Sequence, residues 1–437
     1  MLKTSAIVGA GALFLPKNIL AQGQSPNEKM NVACIGLGAQ GGFQLSGMRN
    51  AKNDVNIVAL CDVDDARAGG AYNGNPDAKK FYDFRQMFDD MEKSIDAVTV
   101  STPDHTHYHP VMRALRAGKH VYCEKPLAHS VQEIRNITVT AAEKGVATQL
   151  GCQRHTHQNM HRVVELIKSG AIGDVTEVWS WVGGRRGMPS TSSMKAVDPP
   201  ATLKWDLWLG PCPKDWAYSV NGSGKGMHAP YEWRFWWDFG TGETGNWSCH
   251  ILDIPYWALD LKYPTRVSAS PNDPAVDPDR TPVSMDVVLD YPARGTMPPL
   301  KLYWGQTDNP GCFAKYNIPK IGGTNNVFIG TKGILVCDFD KLKLFPEEQF
   351  KDFVYPEKTI PNSPGFHREW INACKGGIPA TVNFAYSGPM AESAILANTA
   401  YRAGHKTFDW DAEKLIAKDC PEVQAAIKPE FRKGWEY

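Results

Sequence analysis

The sequence predicts an α/β protein in which a doubly wound parallel sheet comes first and an α+β domain with a large, mostly antiparallel, open sheet follows. Strand-like and helix-like segments alternate from residue 30 to residue 150, a pattern typical of a parallel sheet with helical crossovers. A glycine-rich turn joins the first strand to the first helix. After Asp174 strand-like runs separated by loops dominate, and two helices follow near the end.

The first strand–helix–strand unit carries the most informative motif. Met30–Ile35 predicts a strand, Gly36–Gly41 a turn and Gly42–Asn50 a helix. A second apolar strand, Val55–Cys61, is followed at once by Asp62. A Gly-x-Gly-x-x-Gly turn in this context, with an acid about 20 residues further on, is the dinucleotide-binding fingerprint of a Rossmann domain.

Each residue type in this turn has a physical reason. Gly36 permits the tight turn, Gly38 lets the backbone approach a pyrophosphate, and Gly41 lets helix and strand pack closely. The free N–H groups of the helix N-terminus favour phosphates. Asp62 would accept hydrogen bonds from the adenosine ribose and repel a 2′-phosphate, so NAD is favoured over NADP. The cofactor-binding residues assigned to this unit are Gly36, Leu37, Gly38, Gln40, Gly41 and Asp62.

The remaining elements follow in order along the chain. Three more buried strands are predicted in the first half, at 95–100, 120–123 and 146–150, with helices at 109–117, 131–144 and 160–168. The second half predicts strands at 175–182, 283–289, 300–304, 326–329, 334–338 and 342–345, and helices at 367–374 and 386–402. We therefore divide the chain into an N-terminal segment, 1–29, a nucleotide-binding domain, 30–152, and a second domain, 153–437.

The loop after the strand at 95–100 lies where ligands of parallel sheets bind, beyond the carboxyl ends of the strands. Pro103 fixes a turn there, and the Ser101 and Thr102 hydroxyls can meet the cofactor. Among the polar residues that follow, we assign His107 as the one that faces the cofactor. The other loop side chains, Asp104, His105 and His109, are expected to be solvated rather than to bind a metal, and no metal is predicted.

The next strand ends in Glu124-Lys125-Pro126. A lysine at this position projects over the cofactor edge, where it can hydrogen-bond a substrate hydroxyl and help to move its proton. We therefore assign Glu124 and Lys125 to the cofactor edge and Lys125 to catalysis.

Together these motifs resemble the glucose–fructose oxidoreductase / inositol dehydrogenase / MocA family. The resemblance rests on the glycine turn, on Thr102-Pro103 with His107, on Ala117–Pro126 and on Gly245–His250. It implies a Rossmann domain, a second α/β domain whose open sheet often forms the oligomer interface, and NAD(P)-dependent hydride transfer at sugar or polyol carbons. It also implies that Lys125 handles the substrate proton.

The second-domain motif departs from the family pattern. Family members commonly carry an acid and a histidine one helical turn apart, whereas this chain has Asn246 and His250. The two side chains share one helix face. Since an amide cannot take a proton, we assign base chemistry to His250 with Lys125 as its partner, and to Asn246 the orientation of a hydroxyl or of the imidazole. Asp253 is interpreted as a structural acid.

Candidate substrate contacts are aromatic and cationic. Trp233, Arg234 and Trp237 combine stacking faces with a guanidinium, which suits a sugar ring, although a packed core turn would use the same residues. Arg154 begins the second domain at the interdomain crevice, where the resemblance places an arginine.

Composition excludes several classes of protein. The 47 basic and 47 acidic residues cancel, which argues against a nucleic acid partner or an anionic membrane surface. The 10 cysteines form no Cys-x-x-Cys pair, which argues against zinc and against a disulfide framework.

The first 22 residues resemble an export leader, with Lys3 near the start, an apolar run at 6–15 and Ile19-Leu20-Ala21 as a cleavage site. Leu2–Ala6 resembles the middle of a twin-arginine signal that lacks its Arg-Arg pair. We expect a periplasmic or otherwise exported protein that carries its nucleotide out already bound; a cytoplasmic protein is the alternative. No later segment is predicted to span a membrane.

The sequence thus predicts an NAD-dependent oxidoreductase that acts on a secondary alcohol of a sugar, glycoside or cyclitol, as a dimer or tetramer formed through the C-terminal sheet. An NAD-retaining glycosidase that works by oxidation and elimination is one alternative. A non-catalytic sugar-binding protein is the other alternative, because the acid that family members commonly carry at position 246 is missing.

Overall fold

A parallel six-stranded sheet forms the first half of the computed structural model, which describes residues 28–184 and 186–436. Its spatial order is β3-β2-β1-β4-β5-β6, and every neighbouring pair is parallel. The strands are β1 Met30–Ile35, β2 Val55–Cys61, β3 Lys79–Phe81, β4 Ala97–Val100, β5 His120–Cys123 and β6 Thr148–Leu150. The helices between and after them are α1 Gln40–Asn50, α2 Asp65–Asn73, α3 Phe84–Met91, α4 Tyr108–Arg116, α5 Val131–Lys144 and α6 Gln158–Lys168.

A mixed sheet of nine strands forms the second half of the described chain, in the order β15-β14-β13-β7-β12-β11-β10-β16-β17. Only β7 and β12 pair in parallel; the other pairs are antiparallel. The strands of the second half, including the small β8–β9 pair, are β7 Val175–Val182, β8 Lys195–Ala196, β9 Ser219–Val220, β10 Arg266–Ala269, β11 Met285–Tyr291, β12 Leu300–Gln306, β13 Asn326–Gly330, β14 Ile334–Cys337, β15 Leu342–Phe345, β16 Thr407–Asp411 and β17 Ile416–Ala417. The helices are α7 Trp205–Leu209, α8 Gly242–Ile251, α9 Asp253–Ala258, α10 Cys312–Lys315, α11 Phe366–Cys374, α12 Phe384–Arg402 and α13 Pro421–Ile427.

These two sheets confirm the predicted fold class. Buried apolar runs with a clear period, such as β1 and β7, lie where the sequence predicts them. The short strands and helices that the sequence does not predict, such as β3 and β10, bury few residues: only Phe81 of the three residues of β3 is buried. The strand predicted from 283 begins two residues later, at Met285.

The last two long helices fix the second half of the chain to the first sheet. Just before α12, the Val382 carbonyl accepts a hydrogen bond from Leu150 N of β6 (2.9 Å). Within α12, Glu392 is buried and accepts three bonds from the Arg135 guanidinium of α5, at 2.8, 2.9 and 3.1 Å. The division that the sequence predicts at residues 152 and 153 stays a prediction, because helices far beyond it pack against the first sheet.

The predicted export leader, Met1–Gln22, lies outside the described residues. Across the ranges that the structure does describe, none of the helices has both the length and the apolar character needed to cross a bilayer.

Candidate functional site

The glycine turn between β1 and α1 has no room for side chains at two of its glycines. Gly36 adopts φ +79°, and a Cβ there would lie 2.7 Å from the Ser101 backbone carbonyl. A Cβ on Gly41 would lie 2.0 Å from the Gly36 carbonyl oxygen. At Gly38 the neighbour is the flexible Arg67 side chain, 2.7 Å away. The turn is therefore a bare backbone cradle that opens toward α2.

Asp62 closes the other side of this cradle. Its carboxylate accepts hydrogen bonds from Leu37 N (2.7 Å) and Asp64 N (3.0 Å). Burial raises the pKa of the Asp62 carboxyl, and these two backbone bonds oppose that rise. A carboxylate held beside a glycine turn can accept from ribose hydroxyls and repels a phosphate placed at the same point.

A cleft of about 610 Å³ runs from this cradle across the carboxyl ends of β1, β4 and β5. The Ser101 and Thr102 hydroxyls are buried at its wall and have no hydrogen-bond partner among the described residues. A polar nucleotide bound against the glycine turn could supply the hydrogen-bond partners that these buried hydroxyls lack. The cleft therefore fits a dinucleotide, as the sequence predicts.

His107 is placed differently from the sequence prediction. Its ring is buried, with Nδ1 2.7 Å from the Pro126 carbonyl oxygen and Nε2 2.8 Å from that of Thr102. Both ring nitrogens are thus bonded to the backbone, and the prediction that this ring faces the cofactor is corrected. His107 instead ties the loop after β4 to the loop after β5.

The other polar side chains of this loop are not solvated as the sequence predicts. Asp104 accepts from Thr241 N (3.1 Å) and Thr241 Oγ1 (2.6 Å). The His105 and His109 rings are buried and bond the backbone carbonyls of Trp208 and Trp435. These contacts attach the loop to the second half of the chain and direct the three side chains to separate protein partners.

Glu124 lies beneath the cofactor edge of the cleft. Its buried carboxylate accepts from Gln40 (3.2 Å) and Gln153 (3.0 Å), as well as from Gln44. Burial raises the pKa of the Glu124 carboxyl, and the Lys125 ammonium lowers it most among the opposing groups. Its role is to hold the N-terminus of α1 against the loop that carries Lys125.

Lys125 joins the two halves of the site. Its Nζ donates a hydrogen bond of 2.7 Å to Asn246 Oδ1 on α8, and the lysine lines the cleft. Burial lowers the pKa of the Lys125 ammonium, and the Glu124 carboxylate raises it. The sequence assigns Asn246 to a hydroxyl or to the imidazole; the structure adds this contact with the lysine.

His250 follows one helical turn after Asn246, as the sequence predicts. It is buried, and burial holds its pKa well below the ordinary value, with the Lys125 and Arg154 charges adding to that effect. Its Nδ1 has no hydrogen-bond partner in the described part of the chain. The imidazole is therefore neutral at neutral pH and free to make one more hydrogen bond.

Two of the predicted substrate residues line the cleft. Trp233 and Arg234 both face it, and the guanidinium lies 4.3 Å from the centre of the Trp233 ring and 5.0 Å from that of Tyr231. Arg154 lies elsewhere at the interdomain junction, over the Phe339 ring at 4.4 Å.

Trp237 is buried away from this cleft. Its Nε1 donates to the Asp277 carbonyl, and the Arg402 guanidinium covers the ring at 4.8 Å. A short 3₁₀ turn over Glu232–Phe235 followed by extended backbone at Trp236 sends successive aromatic rings in different directions. The prediction that Trp237 contacts substrate is corrected accordingly.

Asp253 has the structural place that the sequence predicts. Its buried carboxylate accepts from Tyr386 OH (2.6 Å) and lies 2.9 Å from His155 Nδ1. The His155 ring stacks on Trp257 with 4.1 Å between the ring centres. This cluster anchors the loop that carries Arg154.

Sequence reasoning missed a segment of the second half that covers the nucleotide end of the cleft. We call residues 200–208 the cover segment. Asp65 N donates to the Thr202 carbonyl (3.1 Å) and Lys204 N to the Val63 carbonyl (2.8 Å), so the segment pairs with the loop between β2 and α2. Leu203 thereby lines the cleft beside Asp62. The sequence shows only a proline-rich loop here, because the pairing is long-range.

Residues 30–152 match the model of the oxidoreductase family with an NAD-binding Rossmann fold. Inositol 2-dehydrogenase from Rubrobacter xylanophilus is 32% identical over 148 residues, which are 34% of this chain and 42% of that protein. Inositol 2-dehydrogenase 2 from Saccharopolyspora erythraea is 31% identical over 33% of this chain and 42% of that protein. The alignments thus span less than half the length of these relatives. The matches confirm the family resemblance and an NAD-binding domain.

Two solved structures share the fold over most of the chain. The WlbA dehydrogenase from Bordetella pertussis, in complex with NADH and UDP-GlcNAcA, superposes with a TM-score of 0.59 at 15% identity, covering 88% of this chain and 99% of that one. Levoglucosan dehydrogenase, in complex with NADH and levoglucosan, gives 0.57 at 17% identity, covering 87% and 99%.

Replacing Gly41 with alanine is expected to weaken NAD binding about 10- to 100-fold, since the new methyl group would overlap the Gly36 carbonyl oxygen and displace the cradle. Isothermal titration calorimetry measures the change. Gly42→Ala is the matched control in the same helix, because a Cβ there would meet only the Leu37 carbonyl oxygen at 3.6 Å. Equal affinities of the two variants would contradict the assignment of this turn to the pyrophosphate.

Proposed function

We propose that this chain, a member of the glucose–fructose oxidoreductase / inositol dehydrogenase / MocA family, is an NAD-dependent oxidoreductase that acts on a secondary alcohol of a sugar, glycoside or cyclitol. The observation that carries the proposal is the position of Lys125. It lines the same cleft as the glycine turn and Asp62, and it contacts Asn246 of the second half of the chain. A proton-handling group therefore lies at the junction where a substrate can meet the nucleotide.

Bound NAD supplies the hydride acceptor, and the protein supplies the group that takes the hydroxyl proton. Burial lowers the pKa of both Lys125 and His250. For the lysine this moves the pKa from 10.5 toward neutrality, whereas for the histidine it moves the pKa from 6.5 away from neutrality. Because a general base is most effective near the working pH, Lys125 is the better base.

The other two polar groups orient the reacting hydroxyl. Lys125 Nζ donates to Asn246 Oδ1 at 2.7 Å, so the nitrogen stays directed at the junction of the two halves. The neutral His250 ring, one helical turn further along α8, keeps its Nδ1 without a partner among the described residues and is available for one more hydrogen bond. Turnover is expected to rise with pH through the pKa of Lys125, since only the neutral amine accepts the proton.

The cleft wall suits a polyhydroxylated ring. Trp233 and Tyr231 offer aromatic faces, and the Arg234 guanidinium between them offers planar donors. Aromatic faces combined with a few directed polar groups are typical of small polar-ligand sites.

Lys125→Met is expected to lower turnover about 10²- to 10⁴-fold and to leave NAD affinity within a few-fold of wild type, because it removes the base but not the cradle. The assay screens sugars, aryl glycosides and cyclitols for reduced nicotinamide and for hydrolysis products. The exposed Lys93→Met is the control. Full activity of Lys125→Met would contradict the proposed role of Lys125 as the general base. Aryl glycoside cleavage without net NADH formation would identify the glycosidase instead.

We further propose that NAD stays bound between turnovers and that the protein is exported with it. The cover segment supports retention, because it pairs with residues 63–65 and places Leu203 in the cleft wall beside Asp62, where a bound nucleotide would be covered. Outside the cytoplasm, where free NAD is scarce, a retained cofactor must be reoxidised by a second substrate.

Leu203→Ala is expected to speed NAD release about tenfold or more, because the loss of buried apolar contact weakens the cover by more than about 1.4 kcal/mol. Release is measured by displacement with a fluorescent NAD analogue. Leu342→Ala, in β15 of the second sheet, is the control for a general loss of stability. Release from wild type that is already complete within the mixing time would contradict retention.

A homo-oligomer, a dimer or tetramer formed through the second sheet, remains part of the proposal. One face of that sheet carries stacked aromatic rings, with Trp179 and Tyr303 3.9 Å apart and nearly parallel, beside a groove of about 520 Å³. An aromatic sheet face of this kind suits a subunit interface.

A further inference from the structure

The amide that holds Lys125 has a second partner. Asn246 Nδ2 lies 3.3 Å from Glu243 Oε1, one helical turn earlier on α8, and donates to it. The amide orientation is thereby fixed, with its oxygen toward the lysine ammonium and its NH₂ group toward the carboxylate. Lys125, Asn246 and Glu243 form one hydrogen-bonded chain across the junction of the two sheets.

Glu243 is buried, which makes its presence costly unless it is paired. Only about 1% of its side chain is exposed, and Arg186 Nη2 lies 3.2 Å from Oε1. Burial raises the pKa of the Glu243 carboxyl; the Arg186 guanidinium, the Asn246 amide, Arg234 and Lys125 all lower it. The carboxylate is therefore surrounded by groups that favour its charged form.

From this chain of contacts we infer that Glu243 is a positioning residue for the reaction at Lys125. Its negative charge, transmitted through Asn246, stabilises the lysine ammonium that forms when the substrate proton is taken up. The site thus contains a carboxylate, that of Glu243, although position 246 holds an amide. The inference rests on the proposed function for its catalytic meaning, but the electrostatic link itself does not.

Several other charged or titratable groups also act on Lys125. Glu124 and Asp104 face it from the first sheet and raise its pKa, and Arg234 lowers it. On α8 itself, the Cys249 thiol and the neutral His250 ring lie nearby. Removing the Glu243 charge leaves these groups in place, whereas Arg186, the cation paired with Glu243, can move when its partner is lost.

The substitution that isolates the charge is Glu243→Gln. Its amide oxygen can still accept from Asn246 Nδ2, and the Arg186 side chain, 43% exposed, can turn to solvent. Since a nearby negative charge favours the ammonium form, its removal lowers the pKa of Lys125. The expected shift is about one pH unit.

The test titrates Lys125 in the NAD-bound protein by NMR with ¹³Cε-labelled lysine, and its resonance is assigned from a Lys125→Arg variant. Glu243→Gln is expected to lower the Lys125 midpoint by about one unit. Glu177→Gln, which removes another carboxylate paired with a cation, Lys315, is the control and leaves the midpoint unchanged. An unchanged midpoint in folded, NAD-binding Glu243→Gln overturns the inference.

Asn246→Asp supplies a second background in case Glu243→Gln alone does not fold. In the Asn246→Asp variant the added carboxylate raises the midpoint of the Lys125 titration, and adding Glu243→Gln lowers that midpoint again. Equal Lys125 midpoints in the single and double variants overturn the inference. Where turnover is measurable, the rising limb of the kcat–pH profile moves to lower pH with the same substitution, whereas a purely structural role lowers kcat without moving that limb. A protein without turnover on any polyol fails the proposed function but still gives the lysine titration.

Discussion

The hydrogen bond between Lys125 and Asn246 joins two structures that fold from different parts of the chain. Lys125 follows β5 of the parallel sheet, and Asn246 lies on α8 beside the mixed sheet, 121 positions later. The 2.7 Å contact exists only when both sheets are correctly placed. The proposed chemistry depends on that placement, because the nucleotide cradle belongs to one sheet and most of the substrate wall to the other.

Several contacts hold the two halves in register around this bond. Asp104 binds Thr241 just before α8, and within the first half His107 ties the loop after β4 to the loop of Lys125. Further away, Arg135 binds the buried Glu392 of α12. Polar side chains that the sequence suggests are solvated in loops therefore hydrogen-bond the segments around the site to one another. Each is buried or half-buried and hydrogen-bonded, and buried polar groups that are hydrogen-bonded rigidify a structure.

The sequence signals for the nucleotide half of the candidate site are local. The glycine turn, Asp62 and Lys125 each sit at the end of an apolar strand, and a parallel sheet brings such ends to one edge. The cover segment and Glu243 could not be predicted in this way. The first acts through backbone pairing with residues more than 130 positions earlier, and the second is defined by partners on two other segments. The sequence does not predict the position of Trp237, because the direction of its side chain depends on a 3₁₀ turn that hydropathy does not reveal.

The central claim is that one cleft brings a bound NAD and Lys125 together at the junction of the two sheets. A crystal structure of the protein with NAD tests it most directly. The account predicts the pyrophosphate on the turn at Gly36–Gly41, the adenosine ribose at Asp62 beneath Leu203, and the nicotinamide ring beside Lys125 and Asn246. A nucleotide bound outside this cleft, or one whose nicotinamide points away from Lys125, would contradict it.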